Sequence, residues 1–208
     1  MGDAGALRRT LLRRIEREQA GEVSVLDVGA GSGELLRVVA RHSRKANRDA
    51  RLIGLELNER SAQAIRERSA PFDEIAAVQA DALALPFAAR SFDYVICSLF
   101  AHHFRDDQIV RLIGEFARVA RRGVTIIDLH RHRFAFLLYT TVGRLVIHNR
   151  LVREDGALSI RRGFRVDELR RLVNCAGFSR VQVTRRFPFR LVAEIEVGAN
   201  GEGSSRGS

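Results

Sequence analysis

Apolar positions along this chain follow two alternating rhythms. At the start, Leu7, Leu11, Leu12 and Ile15 share one face of a helix over residues 4–20, with arginines elsewhere. The next apolar run, residues 23–28, is short and aliphatic, as a buried strand requires, and Asp27 interrupts it near its end. Gly29, Gly31 and Gly33 follow at every second position, and helical spacing resumes over residues 34–43. The succession then repeats: a strand over 51–57, a helix over 61–69 stopped by Pro71, and strands over 75–79 and 91–97. A helix over 106–120 follows, with Ile109, Leu112, Ile113, Phe116 and Val119 at helical spacing, and then a strand over 123–129. Strands alternating with helices predict an α/β, doubly wound sheet. Residues 134–147 are an apolar segment too short to cross a bilayer. A polar loop, a last helix over 166–176 closed by Gly177, and strands over 178–186 and 189–197 joined at Phe187-Pro188 complete the pattern.

The string VSVLDVGAGSGELL, residues 23–36, reads as strand, glycine turn and helix start. Glycines there permit positive φ and a close approach of ligand to backbone, while the first N–H groups of the helix face that ligand. A dinucleotide fingerprint needs its third glycine three positions after the second. Here Glu34 stands in that place. Asp27 before the turn and Glu34 after it suit a cationic amino-acid group better than a pyrophosphate, which carboxylates repel. Glu56 ends the second strand, so in a doubly wound sheet it stands over the glycine turn, where a carboxylate can accept two hydrogen bonds from a ribose diol.

VLDVGAGSG resembles the first motif, hhDhGxGxG, of the class I S-adenosylmethionine-dependent methyltransferases. The resemblance covers residues 20–197. It implies a Rossmann-like, doubly wound, seven-stranded sheet with a closing antiparallel hairpin, and S-adenosyl-L-methionine as cofactor. Residues 80–87, ADALALPF, resemble the family's third motif, in which Asp81 accepts from the adenine amino group and the Ala82 main chain contacts the ring. The cofactor set is therefore Asp27, Gly29, Ala30, Gly31, Gly33, Glu56, Leu57, Asp81, Ala82, Ser98 and Leu99. Leu83 and Leu85 either wall the adenine or are core. Asp93 reads as structural and Cys97 as core.

Acceptor chemistry is written less plainly. The segment after the fourth strand, SLFAHHF, lacks the [DNS]PP[YF] motif of base-amino methyltransferases, a Pro-Cys nucleophile and a double-glutamate loop. Five of the six histidines lie between His102 and His148. An imidazole with a pKa near ~6.5 suits a phenol or acidic enol as general base. His102 or His103 is the candidate base and His130 the next, with Asp128 orienting an imidazole or the acceptor hydroxyl. No metal-ligand spacing stands out among these histidines, so no metal site is expected. The HHF and DLHRH strings and the apolar insert resemble small bacterial methyltransferases of the ubiquinone/menaquinone and type 11 kind. That resemblance implies O-methylation of a small aromatic, phenolic or polyketide-like acceptor, with C-methylation of a quinol ring as the alternative.

Composition narrows the setting. The 208 residues carry a net charge of +10, and all the basic residues except Lys45 are arginines. Residues 1–104 hold 15 basic and 14 acidic groups, residues 105–208 hold 20 and 11. A basic half can meet nucleic acid, an anionic membrane or an acidic substrate. With no recognisable appended RNA-binding domain and no base-amino motif in these residues, a small-molecule acceptor is expected over RNA. Intact Asp27, Gly29, Gly31, Glu56 and Asp81 disfavour a non-catalytic scaffold. With no twenty-residue apolar run or secretory signal, and with Cys97 and Cys175 in segments that read as buried, a cytoplasmic protein with free thiols is expected. The expected layout is an N-terminal helix over 1–22 and a methyltransferase domain over 23–197. A lid helix inserted at 133–150 is either a pocket wall, core packing or an interfacial helix giving peripheral membrane contact. Residues 198–208 are expected to form a flexible tail.

Overall fold

The computed structural model describes residues 2–18, 21–131 and 162–198. The expected lid helix with its His148, the preceding His132, and residues 199–208 of the tail lie outside them. The chain opens with α1 (Gly2–Leu7), a π-helical turn (Arg8–Leu12) and α2 (Arg13–Arg17). Then come β1 (Val23–Val28), α3 (Glu34–Lys45), β2 (Ala50–Glu56), α4 (Glu59–Arg68), β3 (Ile75–Gln79) and β4 (Phe92–Ser98). After a 3₁₀ turn (Ala101–His103) follow α5 (Asp106–Val119), β5 (Ala120–Leu129), α6 (Val166–Cys175), β6 (Val181–Arg186) and β7 (Arg190–Glu196).

Seven strands form one sheet in the order β3-β2-β1-β4-β5-β7-β6. The first five are parallel, and β7 pairs antiparallel with both β5 and β6. The predicted Rossmann-like sheet with a closing antiparallel hairpin is what the chain builds. All six residues of β1 are buried. Val23 and Val25 pack with Leu7, Leu11 and Ile15 of the N-terminal helices and with Leu36 and Val39 of α3. Leu26 and Val28 pack on the other face, with Ile113 and Phe116 of α5 and Leu169 of α6. A strand covered on both sides needs a continuous apolar run, not alternation. Strand order reverses between β1 and β4, which opens a crevice at the carboxyl edge of the sheet.

Several boundaries differ from the sequence reading for identifiable reasons. Helix α4 starts at Glu59 because the Asn58 side chain accepts the Arg60 N–H at 2.8 Å, a helix N-cap. Arg105 is the N-cap of α5, and Gln108 accepts its N–H at 3.1 Å. Cys175 is exposed, contrary to expectation. At 3.6 residues per turn the buried face of α6 is set by Leu169, Leu172 and Val173, and position 175 falls well off that face. Cys97 is buried, as expected. At the amino edge Asp93 accepts the Ser24 N–H (2.9 Å) and hydroxyl (2.7 Å) and pairs with Arg122, which also holds Glu18 at 2.8 Å. The Tyr94 hydroxyl donates to the same Glu18. Asp93 is structural, joining β1 to β4 away from the crevice.

Candidate functional site

The crevice is built first by the glycine turn. Gly29, Gly31 and Gly33 all take left-handed φ, 71°, 57° and 75°. The N–H groups of Gly29 and Ala30 donate to the Leu55 carbonyl at 2.9 and 3.3 Å, so the turn leans on β2. Glu56, at the end of β2, accepts the Gly31 N–H. A Cβ at Gly29 would stand 2.5 Å from the Phe100 ring, whereas one at Gly31 would meet nothing within 4 Å. The turn is therefore clamped at its base and open at its tip. Gly33 is buried, with Ile65 3.2 Å from where its Cβ would be, and serves helix packing.

A cavity of about 310 Å³ opens against this turn. Asp27, Gly29, Ala30, Gly31, Ser98 and Leu99, six of the predicted cofactor residues, line it together with Ser32, Glu34 and Leu35. Asp3 and Ala4 of α1 complete the wall; nothing in their sequence marked them for this, because only tertiary docking brings that helix to the crevice. Asp27 is 2% exposed and its Oδ1 has no hydrogen-bond partner. Burial, and then the Glu56 carboxylate, push its pKa up to about 8. Burial thus favours the neutral carboxyl, and its orphan oxygen is one that a cationic ligand would partner. Leu99 takes φ 52°, a left-handed conformation uncommon outside glycine, with its N–H held by Ile127 O at 2.8 Å.

The remaining predicted cofactor residues continue along the edge beyond the cavity wall. One Glu56 oxygen is already engaged by Gly31, so the expected two-bond grip on a diol falls to the other oxygen. Burial raises the Glu56 pKa, opposed by the Gly31 and Leu57 N–H groups. Leu57 is 68% exposed, one of two exposed large apolar side chains among the described residues. Asp81 accepts the Leu83 N–H at 2.9 Å, which shapes the turn after β3. Ala82 and Leu85 are buried in the core, and Leu83 packs against it.

On the other side of the crevice the structure separates the histidines. His102, 6% exposed, places Nδ1 2.7 Å from Oδ1 of the fully buried Asp128. The His102 main-chain N–H donates to Asp128 Oδ2 at 3.2 Å, and Leu129 N–H to Oδ1 at 2.7 Å. A proton on Nδ1 shared with this carboxylate leaves Nε2 as the basic nitrogen. His103 is exposed, its ring 4.2 Å from that of His102. His130 lies two residues past Asp128, where its N–H donates to Phe189 O at 2.9 Å and its backbone bridges Phe164. Asp128, His102 and His103 come together; the His130 backbone is tied toward the hairpin instead. Phe100, which the sequence reading passed over, touches the glycine turn and opens the segment that carries His102.

Two larger hollows, of about 400 and 380 Å³, open at the amino edge. They lie away from the glycine turn and the histidines. Among the described residues no cluster of three metal-ligating side chains occurs, and no helix is long and apolar enough to cross a membrane.

A family described as "methyltransferase domain" matches residues 25–123. A demethylmenaquinone methyltransferase of Tropheryma whipplei (strain Twist) is 30% identical over 187 residues, covering 84% of this chain and 73% of the relative. A 2-phytyl-1,4-naphtoquinone methyltransferase of Thermosynechococcus vestitus is 36% identical over 69 residues, or 33% of this chain; the match spans only 29% of that relative's length. Among solved structures, magnesium protoporphyrin IX methyltransferase from Synechocystis PCC 6803 with bound S-adenosylhomocysteine superposes with a TM-score of 0.63 at 18% identity, covering 94% of this chain and 83% of that one. At that identity the likeness is one of fold.

Proposed function

The chain belongs to the class I S-adenosylmethionine-dependent methyltransferases, and from that membership we propose that it methylates a small phenolic or quinol ring at oxygen, with His102 as general base. The cofactor is S-adenosylmethionine, which supplies an electrophilic methyl group. The residues present fit it. The orphan oxygen of Asp27 and the exposed Glu34 suit its ammonium group, and the open tip at Gly31 admits close approach. Glu56 suits the ribose, and the exposed Leu57 with Asp81 and Ala82 suits the adenine.

His102 carries the acceptor chemistry in this reading. Its Nε2 takes the proton of the ring hydroxyl as the oxygen becomes nucleophilic. Asp128 fixes the tautomer, turns the ring and stabilises the imidazolium that forms, roles that need the 2.7 Å contact. General-base help of this kind contributes roughly 10²–10⁴-fold, and alignment of acceptor and methyl donor on the order of several kcal/mol more. That single contact carries the proposal.

The names of the two quinone-methylating relatives favour a second reading, methylation of a quinol ring carbon. The same base serves both, because the phenolate charge spreads from oxygen to the adjacent ring carbons. Calorimetric titration with S-adenosylmethionine and S-adenosylhomocysteine comes first, then turnover on phenols and quinols with fragmentation of the product to locate the methyl group. His102→Gln is expected to lower kcat by roughly 10²–10⁴-fold with cofactor affinity unchanged. Unchanged turnover would remove His102 as the base.

A further inference from the structure

Two large apolar side chains stand exposed among the described residues, Leu57 at 68% and Phe187 at 87%. Leu57 lies at the end of β2, where the cofactor reading gives it a partner. Phe187 has none in that reading. It sits at the tip of the β6–β7 hairpin in the string Arg185-Arg186-Phe187-Pro188-Phe189-Arg190. Because β7 runs antiparallel to β5 and β6 antiparallel to β7, this tip lies at the carboxyl edge, the edge that carries the crevice.

The tip also adjoins the crevice wall. A Cβ on Gly2 would stand 3.3 Å from Pro188, and Arg190 Nε donates to Asp3 at 2.6 Å, the same Asp3 that lines the cavity. Phe189 O holds the His130 N–H. Charge along the hairpin is polarised. Arg185, Arg186 and Arg190 gather at the tip, whereas Glu194 and Glu196 lie at the opposite end, beside Arg180. Exposed Arg162 and Arg165 flank the His130–Phe164 bridge at the same edge.

Arg190 is held by Asp3 and only 18% exposed, and Arg186 is half-buried with its Nε enclosed, so the exposed guanidinium groups at this edge are those of Arg185, Arg162 and Arg165. An exposed aromatic ring at a turn, with these cations at the same edge, matches the boundary of an anionic bilayer. The ring enters the acyl margin while arginine stems snorkel and their heads meet phosphates. The geometry points to the β6–β7 tip as the surface by which this protein docks on an anionic lipid bilayer, setting the crevice against an acceptor dissolved there. The identity of that acceptor rests on the ring-methylation reading; the docking does not.

The test is sedimentation of the whole chain with vesicles of phosphatidylcholine alone and of phosphatidylcholine mixed with phosphatidylglycerol, each in low and high salt. Wild type is expected to partition onto the anionic vesicles only, and to leave them as salt rises. Phe187→Ser lowers that partition by about ten-fold or more, from the apolar area no longer buried. Arg162→Gln with Arg185→Gln lowers it on the order of 25-fold, about five-fold per charge. Arg66→Gln with Arg68→Gln, an equal charge change on α4, tests whether net charge alone acts, and is expected to leave partition near wild type. Equal binding to both vesicle types, no binding, or an equal loss in the α4 variant overturns the proposal; a tip that ignores lipid would then have a protein as its partner. Titration of the same preparations with S-adenosylmethionine confirms folding and separates failure of docking from failure of the methyltransferase reading.

Discussion

Asp27→Asn is expected to flatten the pH dependence of stability of the cofactor-free protein. Burial, with the Glu56 carboxylate second, raises the Asp27 pKa from 3.8 to about 8. Over that window the folded protein keeps a proton that the unfolded chain releases. The stability this provides is fully present below the unfolded value and is lost as pH rises through the folded one. Each pH unit in the window is worth about 1.4 kcal/mol. Between about pH 5 and about pH 8, wild type therefore loses roughly 3–4 kcal/mol that the asparagine variant retains. Urea unfolding of both proteins across this range, with linear extrapolation, gives the difference at each pH, from which the titrating groups not coupled to Asp27 cancel; Glu56 and Cys97, which interact with its charge, add only smaller terms. The asparagine amide lacks a partner in the site, but that offset does not vary with pH, so the slope is the diagnostic. A difference constant to within about 1 kcal/mol would show that Asp27 titrates normally in the folded chain and would refute the neutral-carboxyl account of the site.

Glu56→Ala removes the acceptor of the Gly31 N–H, and titration calorimetry is expected to show S-adenosylmethionine affinity reduced by about 10–100-fold with the far-ultraviolet spectrum unchanged. Gly29→Ala and Gly31→Ala both place a side chain at positive φ, a strain on the order of 1–3 kcal/mol, but only the first drives a Cβ into Phe100. Thermal melts should show Gly29→Ala the more destabilised; equal melting points would dismiss Phe100 as the clamp. Asp93→Ala leaves the Ser24 N–H and hydroxyl without their acceptor and Arg122 with Glu18 alone, at a cost of about 2–3 kcal/mol, measurable by urea unfolding, with cofactor affinity retained.

The strand, turn and helix around Asp27 were legible because each follows a local rule: a continuous apolar run, glycines where φ is positive, helical spacing from Leu35. The alternation of strands and helices carried the sheet, and the antiparallel hairpin came from family resemblance, since no local signal distinguishes it. What escaped the sequence depends on pairs distant along the chain. His102 and His103 are chemically alike, and only the 3₁₀ turn after β4, set against Asp128 at the end of β5, separates them. Asp3 and Ala4 reach the cavity through helix docking, which periodicity predicts as a face but not as a position. Glu56 was placed correctly at its strand end, yet its engagement with Gly31 depends on how far the turn leans over β2. Cys175 was misjudged because one apolar neighbourhood in sequence does not decide which side of a helix a residue occupies.

The Asp93 network gives the molecule two dials that turn separately. Ser24 and Asp27 belong to the same strand, about 10 Å apart and on opposite faces, one anchoring the amino edge and the other lining the crevice. Substitutions that far apart, with no shared partner, combine additively. A lineage moving to a hotter habitat could strengthen the Ser24, Asp93, Arg122 and Glu18 contacts without retuning its cofactor pocket. One adopting a new acceptor could rework residues 98–104 and draw on stability held at the far end of the sheet.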